Sequence, residues 1–330
     1  MVDNDKEKFL RKSNFISTAS LFIIFIAYII LSEITFSIFT IIAMIIIVFI
    51  DAALFTYFKY KIHIEYRGND INIMDYIYSD LSWRYVIYLS IFFLVVLILE
   101  GSVNAVRTYS NIIILNAFIF FIWAVSLNNP LVNLLIRKSI KFDDIFINDE
   151  ISELSMEMGI NEPSVFILDT NNRVANAFEI NSKEAYVFIT GYLKAILDYN
   201  EIIAVLAHEL SHIKLKHNRK TSLVTFVSYI ILMNLASLEF LVNSGILFLL
   251  SPVFFVLLIF FIFFVIPAMK RRNEVAADLN AVKYVDKQYL EDALRKISSF
   301  DKIPENTLKS LSLDHPSTNK RIDLIEKSKL

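Results

Sequence analysis

The chain has 330 residues, of which 56% are hydrophobic, with 29 Phe against only 5 Gly and a formal net charge of −2. That balance is too apolar for an ordinary soluble domain of this size, and the near-neutral charge offers nothing to a nucleic acid partner. The absence of cysteine excludes a disulfide scaffold and thiolate-bound zinc, and it suits a reducing compartment. In chain order, Lys6, Lys8, Arg11 and Lys12 precede a first apolar stretch, Phe15 to Leu31, and a second, Ile34 to Ile50, follows almost at once. The first is expected to be retained rather than removed as a signal peptide, because no small-residue cleavage site follows it. Residues between Lys59 and Arg84 read as a juxtamembrane loop whose lone His63 is an ordinary surface residue. Tyr85 to Leu99 and Ile112 to Leu127 are shorter, but with Trp83 and Tyr109 as interfacial aromatics they are also expected to span.

Residues 128–220 turn polar enough for a folded region outside the membrane. Asn148 to Met158 reads as a helix stopped by Gly159, Val165 to Leu168 and Ala185 to Ile189 as short strands, and Thr190 to Asp198 as another helix. The next helix has Asn200 as its expected N-cap and an apolar stripe of Ile202, Ile203, Val205, Leu206, Leu210 and Ile213, with no Gly or Pro from Asn200 through Thr221. It carries His208-Glu209-Leu210-Ser211-His212, an HExxH pattern. Histidines at i and i+4 share one side of a helix, so both imidazoles reach one metal ion, and Glu209 can reach its water. The third ligand is not the histidine of HExxHxxGxxH, since Leu215 replaces the glycine and His217 comes one residue early. His217 can instead pair or pack beneath the helix.

Two apolar runs follow, Leu223 to Val242 and Ile246 to Ile266, separated by Asn243-Ser244-Gly245. Each is long enough for ~30 Å of hydrocarbon, so they read as a transmembrane hairpin that returns the chain to the side it left. Glu274 then comes back beside His208 as the expected third zinc ligand. Asp278, four residues on, accepts the N–H of a ligating imidazole. Asn273 to Val285, Gln288 to Ser298 and Thr318 to Lys327 are expected helices.

The expected fold is a mostly α membrane protein with about six transmembrane helices plus a cytoplasmic α+β catalytic domain with a small sheet. Its parts are 1–127 (four spans), 128–220 (catalytic region with HExxH), 221–267 (hairpin) and 268–330 (catalytic region with the third ligand). Lys and Arg cluster on one side of every proposed span while the opposite loops hold only Arg107, which places both termini and the catalytic region in the cytoplasm of a multi-pass cell-membrane protein.

Asn176-Ala177-Phe178, Thr190-Gly191, Ala204 through His212 with His217 beyond, Arg272 through Asp278, and His315 through Arg321 stand in an order that resembles the HtpX-like membrane zinc metalloproteases, relatives of the type I CAAX prenyl proteases. The resemblance covers about Glu150 to Ile325. It implies a zincin-like fold of the gluzincin type, an edge strand around Asn176, Ala177 and Phe178 that binds substrate backbone, and His315 and Arg321 near the active centre supporting the transition state or the bound peptide. Four expected spans before the catalytic region depart from the two that are typical of the bacterial HtpX group, and the CAAX enzymes are longer, with a large intramembrane chamber.

The expected chemistry is peptide hydrolysis with one zinc ion per chain, held by His208, His212 and Glu274, and with Glu209 as the base. The partners are polypeptide substrates, drawn from membrane proteins, and the lipid bilayer; the function is proteolytic quality control at the cytoplasmic face. Processing of prenylated CAAX peptides and a non-catalytic zinc-binding scaffold are the alternatives. A transporter is disfavoured because charges within the spans are nearly absent, with Glu239 the exception.

Overall fold

The computed structural model describes residues 38–67, 132–168, 175–181, 184–242, 260–300 and 317–328, with isolated positions in 12–30, 73–76, 116–123 and 253–257. Two compact units divide the chain, one of residues 1–115 with 170–173 and one of 116–169 with 174–330.

In the first unit, helix α1 runs Ile38–Arg67, well past the expected end of the second span at Ile50 and into the segment read from the sequence as a loop. Its stretch Ile42–Ile62 is, among the described residues, the one long and apolar enough to cross a membrane. Asp51 made the sequence look as though the span ended there. The side chain is buried and its Oδ2 accepts the Ser20 hydroxyl at 2.5 Å, so the polar group is answered within the protein and the helix continues. The expected span at 85–99 lies outside the described residues, as does most of 112–127 and of 246–266.

The second unit contains α2 (Val132–Lys138) and a two-residue strand β1 (Ile140–Lys141), too short to show in the sequence pattern. Helix α3 (Ile145–Met158) starts three residues before the expected Asn148, because Asp144 caps it by accepting from the Phe146 and Ile147 N–H groups. Ile145 and Phe146 are exposed and so fall outside the apolar stripe Ile147, Ile151, Leu154 and Met158 by which the helix was recognised. Gly159 ends it at φ 67°, a left-handed conformation suited to glycine.

Strands β2 (Ser164–Leu168), β3 (Ala177–Asn181) and β4 (Ala185–Thr190) complete a sheet of order β1-β2-β4-β3. β2 and β4 pair in parallel with Val165 opposite Val187, while β3 and β4 form an antiparallel hairpin with Ala177 opposite Ile189. Alternation along the strands divides the side chains between two cores. Val165, Val187 and Ile189 join the main core, whereas Phe166, Phe178, Ile180 and Phe188 pack with Val132 and Leu135 of α2 on the other face.

After β4, Thr190 caps the short α4 (Gly191–Ile196). Helix α5 (Tyr199–Leu215) is capped by Asp198, not Asn200 as the sequence suggested: Asp198 accepts from the Glu201 N–H and Glu201 accepts from the Asp198 N–H, a reciprocal box that Asn200 could not close. α5 is buried all round, Ala204 and Ala207 included, because α3, the sheet and the two helices α7 (Ile266–Ala281) and α8 (Lys287–Phe300) cover it from different sides. Truncating a side chain such as Leu210, 1% exposed, should cost about 2–5 kcal/mol.

α5 stops at Lys216, which adopts φ 56°, and the long α6 (His217–Val242) starts at the next residue. A turn of π-helix, Phe261–Val265, leads into α7, whose Pro267 lacks an N–H for the carbonyl four residues back. Helix α9 (Thr318–Glu326), capped by Ser317, buries Ile322 and Ile325.

Candidate metal centre

The motif lies in the middle of α5, where α7 packs across it. His208 and His212, one turn apart, bring their Nε2 atoms to 3.1 Å. Glu274 on α7 places its carboxylate oxygens 3.6 Å from His208 Nε2 and 3.5 Å from His212 Nε2. All three donors lie within 4.8 Å of one another. Bonds of roughly 2.0–2.1 Å at tetrahedral angles put neighbouring ligand atoms about 3.3 Å apart, so this triangle has the size of one face of a zinc tetrahedron, with the fourth vertex left over. Two imidazoles and one carboxylate are also the donor set that zinc accepts, and the residues fit the ion.

Behind the triangle each imidazole has a partner. His208 Nδ1 is 2.8 Å from Asp278 Oδ1, and Asp278, 1% exposed, also takes a two-pronged contact from Arg321 on α9 at 2.6 and 2.7 Å. Arg321 Nη1 lies 3.5 Å from Glu274, so one guanidinium balances a buried and a largely buried carboxylate. Burial raises the Asp278 carboxyl, but Arg321 and His208 together hold it below its ordinary range. Burial alone would disfavour a charged His208; Asp278 and Glu274 outweigh it and bring the metal-free imidazole to about 10. Burial and then the charge of His208 push His212 the other way, to about 3. His212 Nδ1 is 3.0 Å from His217 Nδ1. The left-handed residue Lys216 turns the chain between the two helices, and His217 arrives beneath His212.

Further contacts tie the helices together. Ser211, fully buried within the motif, donates to the Ala207 carbonyl and accepts from Asn280 of α7 at 2.9 Å; Asn273 of α7 donates to Thr221 of α6 at 3.0 Å. These bonds set α7 against α5 at the height where Glu274 meets the two histidines.

Of the residues expected at the site, His208, Glu209, His212, Glu274, Asp278 and Arg321 come together in this cluster, and Glu209 is buried beside the histidines. Ala177 opens strand β3, which packs on α5, and Asn176 precedes it with its carbonyl accepting from the Thr190 N–H. The Phe178 side chain turns away from α5 and stacks on Phe188, as alternation requires, so its backbone is the part that faces the sheet edge. His315 lies outside the described residues.

The family model for peptidase family M48 matches residues 144–329, a stretch that holds every residue of the donor cluster. The chain belongs to peptidase family M48. The resemblance to the HtpX-like metalloproteases read from the ordered motifs therefore holds. A protease HtpX homolog of Persephonella marina is 37% identical over 71 residues, 21% of this chain and 24% of the relative. The homolog of Thermoanaerobacter pseudethanolicus is 25% identical over 173 residues, 47% of this chain and 57% of the relative, so the chain spans well under two thirds of these curated M48 relatives. The crystal structure of S. mikatae Ste24p aligns with a TM-score of 0.69 at 16% identity, covering 98% of this chain and 87% of that one, which shows a shared fold.

Proposed function

We propose that this M48 chain is an integral membrane zinc endopeptidase that cleaves unfolded or damaged membrane proteins at the cytoplasmic face. The observation that carries the reading is the His208, His212 and Glu274 triangle of zinc dimensions, with buried Glu209 following the first ligand on its helix. His208, His212 and Glu274 would hold the ion, which when bound supplies polarisation of a carbonyl and an acidified water.

The chain's own residues do the rest. The Glu209 carboxylate accepts a proton from the attacking water and returns it to the nitrogen of the leaving amine. Asp278 accepts the Nδ1–H of His208 and His217 Nδ1 accepts that of His212, which turns both Nε2 lone pairs to the same point. Arg321 neutralises the carboxylates that would otherwise repel the Glu209 charge. The backbone of β3, the last strand of the sheet, holds an extended peptide by main-chain bonds that do not depend on its sequence. The apolar helix stretch Ile42–Ile62 and the one-sided distribution of Lys and Arg support a membrane protein with the site and both termini inside.

The test is a comparison of the zinc-loaded protein with Glu209→Gln on two substrate sets, solubilised unfolded membrane proteins and farnesylated CAAX peptides. Multi-site cleavage of the first set by the active form alone is expected. Single-site cleavage of the prenylated peptides with none of the unfolded proteins would replace quality control with CAAX processing. Zinc binding without hydrolysis would leave a scaffold.

A further inference from the structure

Glu179 lies on the strand expected to hold substrate, and nothing in the zinc chemistry uses it. It is opposite Val187, which belongs to the core against α5, so its side chain points to the α5 face of the sheet and not to the face of Phe178. One carboxyl oxygen, Oε1, accepts from Asn218 of α6 at 2.7 Å. The other, Oε2, is buried with no hydrogen-bond partner. A carboxyl oxygen in that state forfeits its hydration, a cost that a donor arriving from outside would remove. Burial and then the charge of Glu209 push the group up to about 8, and neither influence brings a counter-charge to it.

Among the described residues no strand covers the outer edge of β3. A peptide pairing there continues the sheet, and its side chains alternate between the two faces. The residue opposite position 179 projects onto the α5 face with its Cβ about 5 Å from that of Glu179. A lysine or arginine at that point supplies both what Oε2 lacks, a donor, and what the carboxyl lacks, a positive charge.

We propose that Glu179 is a specificity-determining residue of this peptidase: on the α5 face of the free edge strand, its carboxyl receives the cationic side chain of the substrate residue paired opposite it. The inference rests on the peptidase reading above. It divides recognition in two, with the β3 backbone gripping any extended chain and Glu179 selecting where along that chain the cut falls.

The test uses the full-length zinc-loaded protein and internally quenched peptides in which one residue, Lys, Arg, norleucine or Glu, is moved through the positions flanking the scissile bond. The wild type should give, at one position, a kcat/KM about tenfold higher for Lys or Arg than for norleucine. In Glu179→Gln, which keeps the shape and the Asn218 contact, that ratio should fall to within twofold, and in Glu179→Lys it should shift toward Glu at the same position. Zinc content and cleavage of an unfolded protein are measured for every form. A wild type that cuts the unfolded protein but ignores the charge at every position overturns the subsite alone, as does a preference that survives in Glu179→Gln. A zinc-loaded wild type that cuts neither peptides nor unfolded protein refutes the peptidase reading and the subsite with it.

Discussion

Replacing Asp278 with Asn keeps the shape of a side chain that is 1% exposed and removes its charge, so it isolates the electrostatic part of the metal centre. Asp278 does two things at once: it accepts from His208 Nδ1 at 2.8 Å and receives two bonds from Arg321 at 2.6 and 2.7 Å. Weakening the first from a charged to a neutral acceptor lowers the basicity of His208 and loosens its orientation, which by analogy with other metal-bound imidazoles weakens metal affinity about 10–100-fold, or roughly 1.4–2.8 kcal/mol. Losing the second leaves a buried guanidinium with half its partners, a change that costs about 3–5 kcal/mol when the partner is lost outright. The lower end applies here, since Asn still accepts one bond and Glu274 remains 3.5 Å from Arg321. The assay is competition between the protein and a chromophoric zinc chelator in detergent, with a thermal melt of the metal-free form alongside. The expected result is weaker zinc binding and a lower melting temperature in the same variant. Zinc affinity within twofold of wild type would refute the assignment of Asp278 as the partner that orients His208.

Alanine at His208, His212 or Glu274 should abolish stoichiometric zinc by metal analysis, whereas Glu209→Gln should retain it and lose at least about 100-fold in kcat. His217→Ala should weaken zinc about tenfold in the same competition assay, and His217→Gln, which keeps an acceptor near His212 Nδ1, should recover part of the loss. Metal-free His208 is raised to about 10, so its charged form stabilises the fold fully below its unfolded value near 6.5, and that contribution fades as pH rises through about 10. Because zinc needs the neutral ring, uptake at pH 7.5 should release about one proton, seen by calorimetry in buffers of different ionisation enthalpy; release of none would contradict the charged His208. Cysteines introduced at Lys183 and Leu330 should both resist a membrane-impermeant reagent added from outside intact cells, and external labelling of either would overturn the orientation.

The triangle of ligands was legible because its information is local. An i, i+4 pair on one helix and another i, i+4 pair on a second fix which side chains share a face whatever the tertiary structure does, and two apolar runs between them, read as a hairpin, imply a return to one side. What the sequence hid depends on single backbone or packing events. The break at Lys216 is a left-handed turn at a residue with no preference for it, and without that turn His217 is one residue out of any ligand register. Strand β3 alternates only over Phe178-Glu179-Ile180-Asn181, too short a run to announce a strand by itself, and pairing with β4 secures it. Asp51 ended the second span on paper because a charge in hydrocarbon is costly, but a hydroxyl thirty-one residues away answers it.

The same distinction explains why Arg321 could be placed by resemblance but not by physics. A lone arginine on a short C-terminal helix reads as a solvated charge, and its meaning appears once α9 sets it between two carboxylates of α7. Packing on α5 buries Asp278 and most of Glu274, so the fold brings two carboxylates to one arginine, whose charge a third, Glu209, also feels. An isolated acidic cluster of that kind would protonate and lose both its metal affinity and its base. Arg321 offsets Asp278 and Glu274 from behind, an incoming metal ion would offset Glu274 from the front, and Glu209 is the carboxylate that the proposed mechanism assigns to the proton. Glu179, raised by burial and by Glu209, is then the group on β3 whose counter-charge the proposed subsite assigns to a bound chain.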